Sequence, residues 1–550
     1  MDVLNHEHTF AHEFALFLSS RMGETSAVEE RMKTLVVDLI LSLEEGNTCL
    51  KLSVDDERIV QGSRLTSVDG TTPLIVFNSR LYLSRYFHYE QRLANQLVDR
   101  SNHSNEEGTT DSYLDQWFCP RNSDPHQRAA ASKTLTQKLT IISGGPGTGK
   151  TSTVVKIVGM LISYHGTDFT IALAAPTGKA AMRLQESVRQ QLKQLQISKD
   201  IAESFPDQAL TLHRLLGVIP YSPQFIHNQQ NPLQWDMVIV DEASMVDLAL
   251  MSKLVDSLRP SARLILVGDR DQLSSVESGA VLSDCVESLP NNVVELQNTY
   301  RFNKHIQRLS EAIKAEDVIS VERILSDHSI SNASYLTASP LAYAINKYQG
   351  FLELAAQTDT DSTESIGRLF AQFETFQVLC CVKQGRLGTE GMNQQIEAGL
   401  NILPKTSTIQ KWYAGKPIMI TRNDYQLGLF NGDIGICLPA QEEGDEYRIW
   451  FRSGTSYRSI HPARMVAYQT GWAITVHKSQ GSEFHEVVLV LPETEQPVLS
   501  RELIYTAITR CKESVKISGS SEILAVAIGK PALRTSGLSA QIDAFFQEEQ

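Results

Sequence analysis

The chain has 550 residues, enough for about three or four domains, and its 42% hydrophobic content supports several buried cores. With 50 Lys and Arg against 64 Asp and Glu, the formal net charge of −14 argues against indiscriminate nucleic-acid binding but leaves room for a local DNA track. No apolar run reaches membrane-span length, the N-terminus lacks the regions of a signal peptide, and seven scattered cysteines without a C-x-x-C pair signal neither zinc nor disulfides, so a cytoplasmic protein is expected.

In chain order, apolar residues at helical spacing predict helices over residues 10–17 and 27–43, followed by strands over 50–54 and 74–77. An amphipathic helix over 81–98 carries Arg85, Tyr86, Tyr89 and Arg92, and a polar, glycine-containing linker over 101–112 marks a boundary. Residues 1–120 contain 10 Lys and Arg against 19 Asp and Glu, a balance of −9, which leaves −5 for the rest. This acidic stretch holds no catalytic constellation, so it reads as a packing or partner-docking unit rather than an active site.

After Asp124-Pro125-His126-Gln127 comes a strand over 139–142, then Gly144-Gly145-Pro146-Gly147-Thr148-Gly149-Lys150-Thr151, then a helix over 153–162. In that strand, loop and helix context the glycines let backbone N–H groups converge on phosphate oxygens, Lys150 reaches the outer phosphates and Thr151 can hold Mg²⁺. A nucleoside triphosphate with magnesium is the expected ligand. Further strands end in Pro176-Thr177-Gly178-Lys179-Ala180-Ala181 and in Asp241-Glu242-Ala243-Ser244, with Thr211-Leu212-His213-Arg214-Leu215-Leu216-Gly217 between them. An apolar strand ending in two carboxylates suits magnesium-dependent hydrolysis: Asp241 can bind the metal through water, and Glu242 can orient or deprotonate the attacking water. A strand over 263–267 leads to Gly268-Asp269-Arg270-Asp271-Gln272-Leu273, where Gln272 is placed to sense the terminal phosphate. Another strand over 293–296 leads to Asn298-Thr299-Tyr300-Arg301-Phe302.

Past residues 302–375, which carry no motif, a strand over 376–382 precedes a segment at 383–400. Ile420-Thr421-Arg422-Asn423-Asp424 and Phe430-Asn431-Gly432-Asp433-Ile434-Gly435 read as short strands with tight Asn-Gly chemistry, which predicts a small inserted β-barrel at about 415–465. Thr475-Val476-His477-Lys478-Ser479-Gln480-Gly481-Ser482-Glu483-Phe484 and Tyr505-Thr506-Ala507-Ile508-Thr509-Arg510 follow.

In their order these motifs resemble the superfamily 1 helicases, and in detail the RecD family, its 5′-to-3′ branch; the resemblance covers about residues 75–520. It implies an α/β protein with two RecA-like parallel-sheet motor domains, a small inserted SH3-like β-barrel and an α-rich N-terminal domain. The expected divisions are 1–112 for docking, 113–300 for the first motor domain and 301–550 for the second, with the barrel inserted. The implied activity is ATP-dependent 5′-to-3′ movement on DNA, as a subunit that joins two larger partners, RecB-like and RecC-like, in a heterotrimeric RecBCD helicase-nuclease of double-strand break repair. Cleavage would come from a partner. A stand-alone helicase of the same family is the other reading, and the short acidic N-terminal stretch favours the subunit.

The resemblance also implies residue roles. Lys150, Asp241, Glu242, Gln272, Arg301 and Arg510 would act in catalysis, with Arg510 reaching across from the second domain. Gln127, Gly144, Gly145, Pro146, Gly147, Thr148, Gly149, Thr151, Ser152, Gly481 and Glu483 would complete the ATP site, with Mg²⁺ at Thr151 and Asp241. Thr177, His213, Asn431, Thr475 and His477 would face single-stranded DNA, which the motor takes from duplex ends.

Overall fold

A computed structural model describes the chain except residues 1, 21–25, 68–70, 103–110, 121–122, 196, 276, 300–303, 328, 401–411, 425, 441–446, 455, 533 and 549–550. Among the described residues, short apolar strands form a six-stranded parallel sheet. Its order is Val293–Leu296, Leu139–Gly144, Arg263–Gly268, Met237–Val240, Ile171–Ala175 and Ala209–Thr211. Because successive side chains point to opposite faces, a strand covered on both sides must be apolar throughout. One face presents Leu139, Ile141, Val238, Val240, Leu264 and Leu266 to helices Ser84–Asn102, Leu248–Asp256 and Leu538–Glu548. The other presents Ile142, Ile171, Leu173, Met237, Ile239 and Ile265 to helices Pro125–Thr136, Lys150–His165 and Gly178–Gln194. The phosphate loop, Thr177, Asp241 and Asp269 all emerge at the carboxyl ends of these strands, the edge where open α/β sheets bind ligands.

A second parallel sheet is ordered Ala333–Tyr335, Cys511–Ser518, Phe484–Val490, Phe376–Cys380 and Ala473–Thr475. The motif-free stretch contributes to this unit, through helices Lys304–Lys314, Val318–Ser326, Pro340–Ala356 and Thr363–Phe373. Between the second sheet's strands the chain makes a five-stranded antiparallel sheet, Pro417–Ile420 to Tyr468–Thr470, with its own small core around Ile418, Leu429, Ile449 and Phe451.

The N-terminal region is helical over Asp2–Ser19 and Ser26–Glu44 and adds a small four-stranded sheet. Two expectations need correction here. The strand expected over 50–54 is only Leu50–Lys51, because Ser53 accepts the Asp56 N–H and caps a helix that starts at Val54. The helix expected from 81 starts at Ser84, because Leu81 and Tyr82 are buried in strand Arg80–Leu83. That helix runs to Asn102, so it takes up the start of the expected linker, of which residues 103–110 lie outside the described residues.

Helix Ser84–Asn102 joins the first sheet's core through Leu93, Ala94, Leu97 and Val98, together with Leu538 and Ile542 from the far end of the chain. The C-terminal segment therefore leaves the second unit and crosses back to the first. Arg534 holds the carbonyls of Ser275, Glu277 (2.7 Å) and Gly279 (2.9 Å). Glu90, fully buried, accepts from Thr48, Ser536, the Gly537 N–H (3.1 Å) and Gln541 (3.0 Å), and burial raises its pKa.

Candidate functional site

A cleft of about 530 Å³ opens between the two parallel sheets. Its floor is the phosphate loop, where Gly147 (φ 79°) and Gly149 (φ 84°) take left-handed backbone that a side chain would strain. Gly144 admits no Cβ, since one would lie 2.8 Å from the Thr148 hydroxyl and 3.0 Å from the Leu296 carbonyl. Thr148 is buried and ties the loop by donating to the Gly145 carbonyl (2.8 Å). Lys150 opens its helix and donates to the Gly144 (2.6 Å) and Gly145 (3.1 Å) carbonyls. Pro146, Gly147, Gly149, Lys150, Thr151 and Ser152 all face the cleft, at a helix N-terminus whose dipole favours anions.

Opposite stand Asp241 and Glu242. Burial, and then the neighbouring Glu242 carboxylate, push Asp241 up to about 6, with Lys150 opposing. Glu242 has φ 52°, a left-handed conformation that is rare and costly for a residue with a Cβ, and its N–H is held by Asp241 Oδ1 at 2.9 Å. Gln127, buried behind the Asp124 cap of its helix, lines the same cleft.

The second sheet closes the far wall with Arg510 and Glu483. Arg510 Nη2 donates to Gln272 Oε1 (2.8 Å), Gln272 Nε2 donates to Asp269 (3.0 Å), and the Tyr505 hydroxyl donates to the same carboxylate (3.1 Å). A parallel contact runs from Gln480 to the Leu273 carbonyl (2.8 Å). Arg301 lies outside the described residues. Gly481 (φ 66°) turns the chain beside Ala180 and does not line the cleft.

A second recess of about 420 Å³ runs between the first sheet and the antiparallel insert, and it brings Thr177, His213 and Asn431 together. Thr177 accepts the Ala180 N–H (3.2 Å) to cap helix Gly178–Gln194, and Thr211 likewise caps the short helix that carries His213. Burial lowers the pKa of His213, so its ring is neutral at pH 7. Thr475 and His477 are not brought into this recess. Thr475 accepts from the Lys478 N–H (3.3 Å), and His477, its pKa lowered by burial and by Arg534, starts a single helical turn. Lys478 makes the link instead, donating to Asn431 Oδ1 at 2.7 Å.

Sequence reasoning missed Arg183, Ser187 and Gln191 on the cleft wall, and Arg422 and Phe430 in the recess. A signal existed for the first three: they recur at every fourth position of helix Gly178–Gln194, beside the buried Ala181, Leu184 and Val188. Phe430 sits on Gly178, where a Cβ would come within 2.3 Å of the ring.

Such an arrangement can bind a triphosphate between two bodies and place a positive charge from the second on it. Comparison with known proteins agrees with this chemistry. An AAA domain model matches residues 127–278, an ATP-dependent RecD-like DNA helicase SH3 domain matches 392–451, and a UvrD-like helicase C-terminal domain matches 470–517. The chain is 35% identical to the RecBCD enzyme subunit RecD of Mycobacterium tuberculosis, covering 94% of this chain and 92% of the relative. It is 34% identical to the RecBCD enzyme subunit RecD of Haemophilus influenzae, over 76% and 72%. An ATP-dependent RecD2 DNA helicase of Deinococcus radiodurans is 29% identical, over 89% of this chain and 61% of that protein. With about a third of its residues shared over more than two thirds of both chains in each RecD relative, this protein belongs to the RecD family.

Proposed function

We infer that this chain is an ATP-dependent DNA helicase, and we propose that it works as the 5′-to-3′ motor subunit of a RecBCD-type helicase-nuclease. The observation that carries the reading is the Arg510–Gln272 contact, which joins the second sheet to the first at the wall shared with Lys150, Asp241 and Glu242. Lys150 and the loop N–H groups hold the phosphates, Glu242 orients or deprotonates the attacking water, Arg510 meets the charge that develops on the transferring phosphoryl, and Gln272 senses its loss. Arg301, by its motif, adds a second guanidinium. Two adjacent carboxylates, of which buried Asp241 has a raised pKa, call for a cation, and the Thr151 hydroxyl shares their cleft, so Thr151 and Asp241 suit Mg²⁺, which would neutralise phosphate charge.

When nucleotide no longer bridges the walls the two units separate, and Thr177, His213 and Asn431 on one strand of DNA turn that opening into a step. Thr475 and His477 act one turn behind, through Lys478 and Asn431. The N-terminal region before Ser84 docks the larger subunits, and helix Ser84–Asn102 stays with the motor core it helps to build. The higher identity and fuller coverage toward RecBCD subunits than toward the Deinococcus helicase favour this over stand-alone action.

Lys150→Gln removes the phosphate-facing charge and no core atom, so DNA-stimulated ATP hydrolysis should be lost while the unfolding curve stays unchanged; unaltered turnover would overturn the ATPase assignment. Strand displacement from substrates with either a 5′ or a 3′ overhang tests polarity. A preference for the 5′ overhang is expected, and a preference for the 3′ overhang would reverse the assignment.

A further inference from the structure

One face of helix Ser84–Asn102 stays open where the other enters the core, and it carries Arg85, His88, Tyr89 and Arg92 around a shallow depression of about 380 Å³. These positions follow helical spacing, so the four side chains share one stripe. Cations and rings alternate across it. The Arg92 guanidinium lies 5.5 Å from the Tyr89 ring, Arg85 lies 5.2 Å from Tyr86, and Lys253 is held between Tyr89 (5.6 Å) and Phe225 (5.5 Å). Phe225 meets His213 edge-on at 5.7 Å, and His213 lines the recess assigned to DNA. A continuous series of contacts thus leads from that recess over Phe225 and Lys253 to the helix.

We propose that this face extends the single-strand track: DNA leaving the His213 end of the recess lays its phosphates along Lys253, Arg92 and Arg85 and its bases against Phe225 and Tyr89. The proposal rests on the assignment of the recess to single-stranded DNA. Alternating cations and aromatic faces are the chemistry by which proteins hold a single strand without reading its sequence, since every base offers a π-face and every linkage a charge. The patch is basic within a stretch whose balance is −9, so the surrounding acidity does not account for it. Asp256 takes part of the charge, lying 3.5 Å from Arg92 and accepting from Gln96, while Arg85 has no ion-pair partner among the described residues.

The test uses the full chain and two oligothymidylates, one of about 8 nucleotides, within the span of a single site, and one about twice as long. Wild type should bind the longer strand more tightly, and Arg85→Glu with Arg92→Glu should remove on the order of tenfold of that advantage. The slope of log affinity against log salt for the long strand should fall by about 1.4, or about 0.7 for each lost phosphate contact. Binding of the short strand, and the ATPase it stimulates, should not change. Arg85→Ala with Arg92→Ala, which adds no acid beside Asp256, should show the same loss in smaller degree. Full retention of the long-strand advantage in both variants overturns the proposal. So does unchanged DNA binding with loss of co-purifying larger subunits, which would make this face a protein dock. A short strand that stimulates ATP hydrolysis in neither protein overturns the recess assignment itself, and the extension with it.

Discussion

Gln272 accepts from Arg510 and donates to Asp269, so its amide is oriented by partners of opposite need. Asp269 is buried, its pKa is raised by that burial, and it also takes the Tyr505 hydroxyl, which ties Gln272 to the second sheet twice. Arg510→Ala should therefore depress turnover by about 10³ or more while nucleotide affinity changes much less, because a finger acts on charge that appears in the transition state. Gln272→Ala should lower turnover in the same direction, by less, since Arg510 also donates to the Thr506 carbonyl (3.2 Å) and keeps part of its position. Steady-state kinetics beside equilibrium nucleotide binding check both; equal losses in the two measurements would mark a structural role. Lys150, Asp241 and Glu242 were legible in the sequence because each belongs to a short local pattern with its own mechanism. Arg183 was not, because a polar stripe on a helix gains meaning only once Glu483 and Arg510 stand across from it.

Helix Lys150–His165 shows how packing overrides propensity at the scale of an element. Gly159 lies in its interior, where alanine is ordinarily better by about 1 kcal/mol. Here a Cβ would meet the Trp117 ring at 2.2 Å. Gly159→Ala should destabilise the protein by about 1–3 kcal/mol through overpacking, read as a lower denaturant midpoint with an unchanged slope; a stabilised variant would refute the packing account. Helices and buried strands of the first sheet could be read from period and from apolar runs. Their ends were less legible. Strand Arg80–Leu83 and helix Ser84–Asn102 are contiguous, and Leu81, Tyr82 and Phe87 are apolar in either periodicity, so the sheet partners Leu74–Phe77 and Leu50–Lys51 decide where one stops. Val54 joined a helix because the local Ser53 cap outweighed a β-branched residue's strand preference.

Over the whole molecule, the C-terminal segment binds the first unit to the second by a route no local motif announces. Arg534 and Leu538 lie far from Glu90 in sequence, and none of the three belongs to a motif. Beside them Asp284 is pushed up to about 7, chiefly by burial, with Ser536 opposing and the nearby Glu90 adding to the rise. The folded state thus holds a proton that the unfolded chain, with an aspartate pKa of about 3.9, has already released. Its contribution to stability is full below about pH 4 and is lost as pH rises through about 7, and Glu90 shifts in the same direction. Asp284→Asn should flatten that decline in unfolding free energy; an unchanged slope would remove Asp284 from the account.

The crossing of Leu538 and Ile542 into the first sheet's core also sets an order on biosynthesis. All six strands of that sheet leave the ribosome before the second sheet is finished, but the face shared with helix Ser84–Asn102 stays partly uncovered until the last helix follows. A nascent chain in that state exposes apolar surface and leaves Glu90 without Ser536, Gly537 and Gln541. The first motor unit therefore cannot reach its mature form ahead of the second, and a chain that terminates early is left with an incomplete ATPase core for chaperones and proteases to recognise.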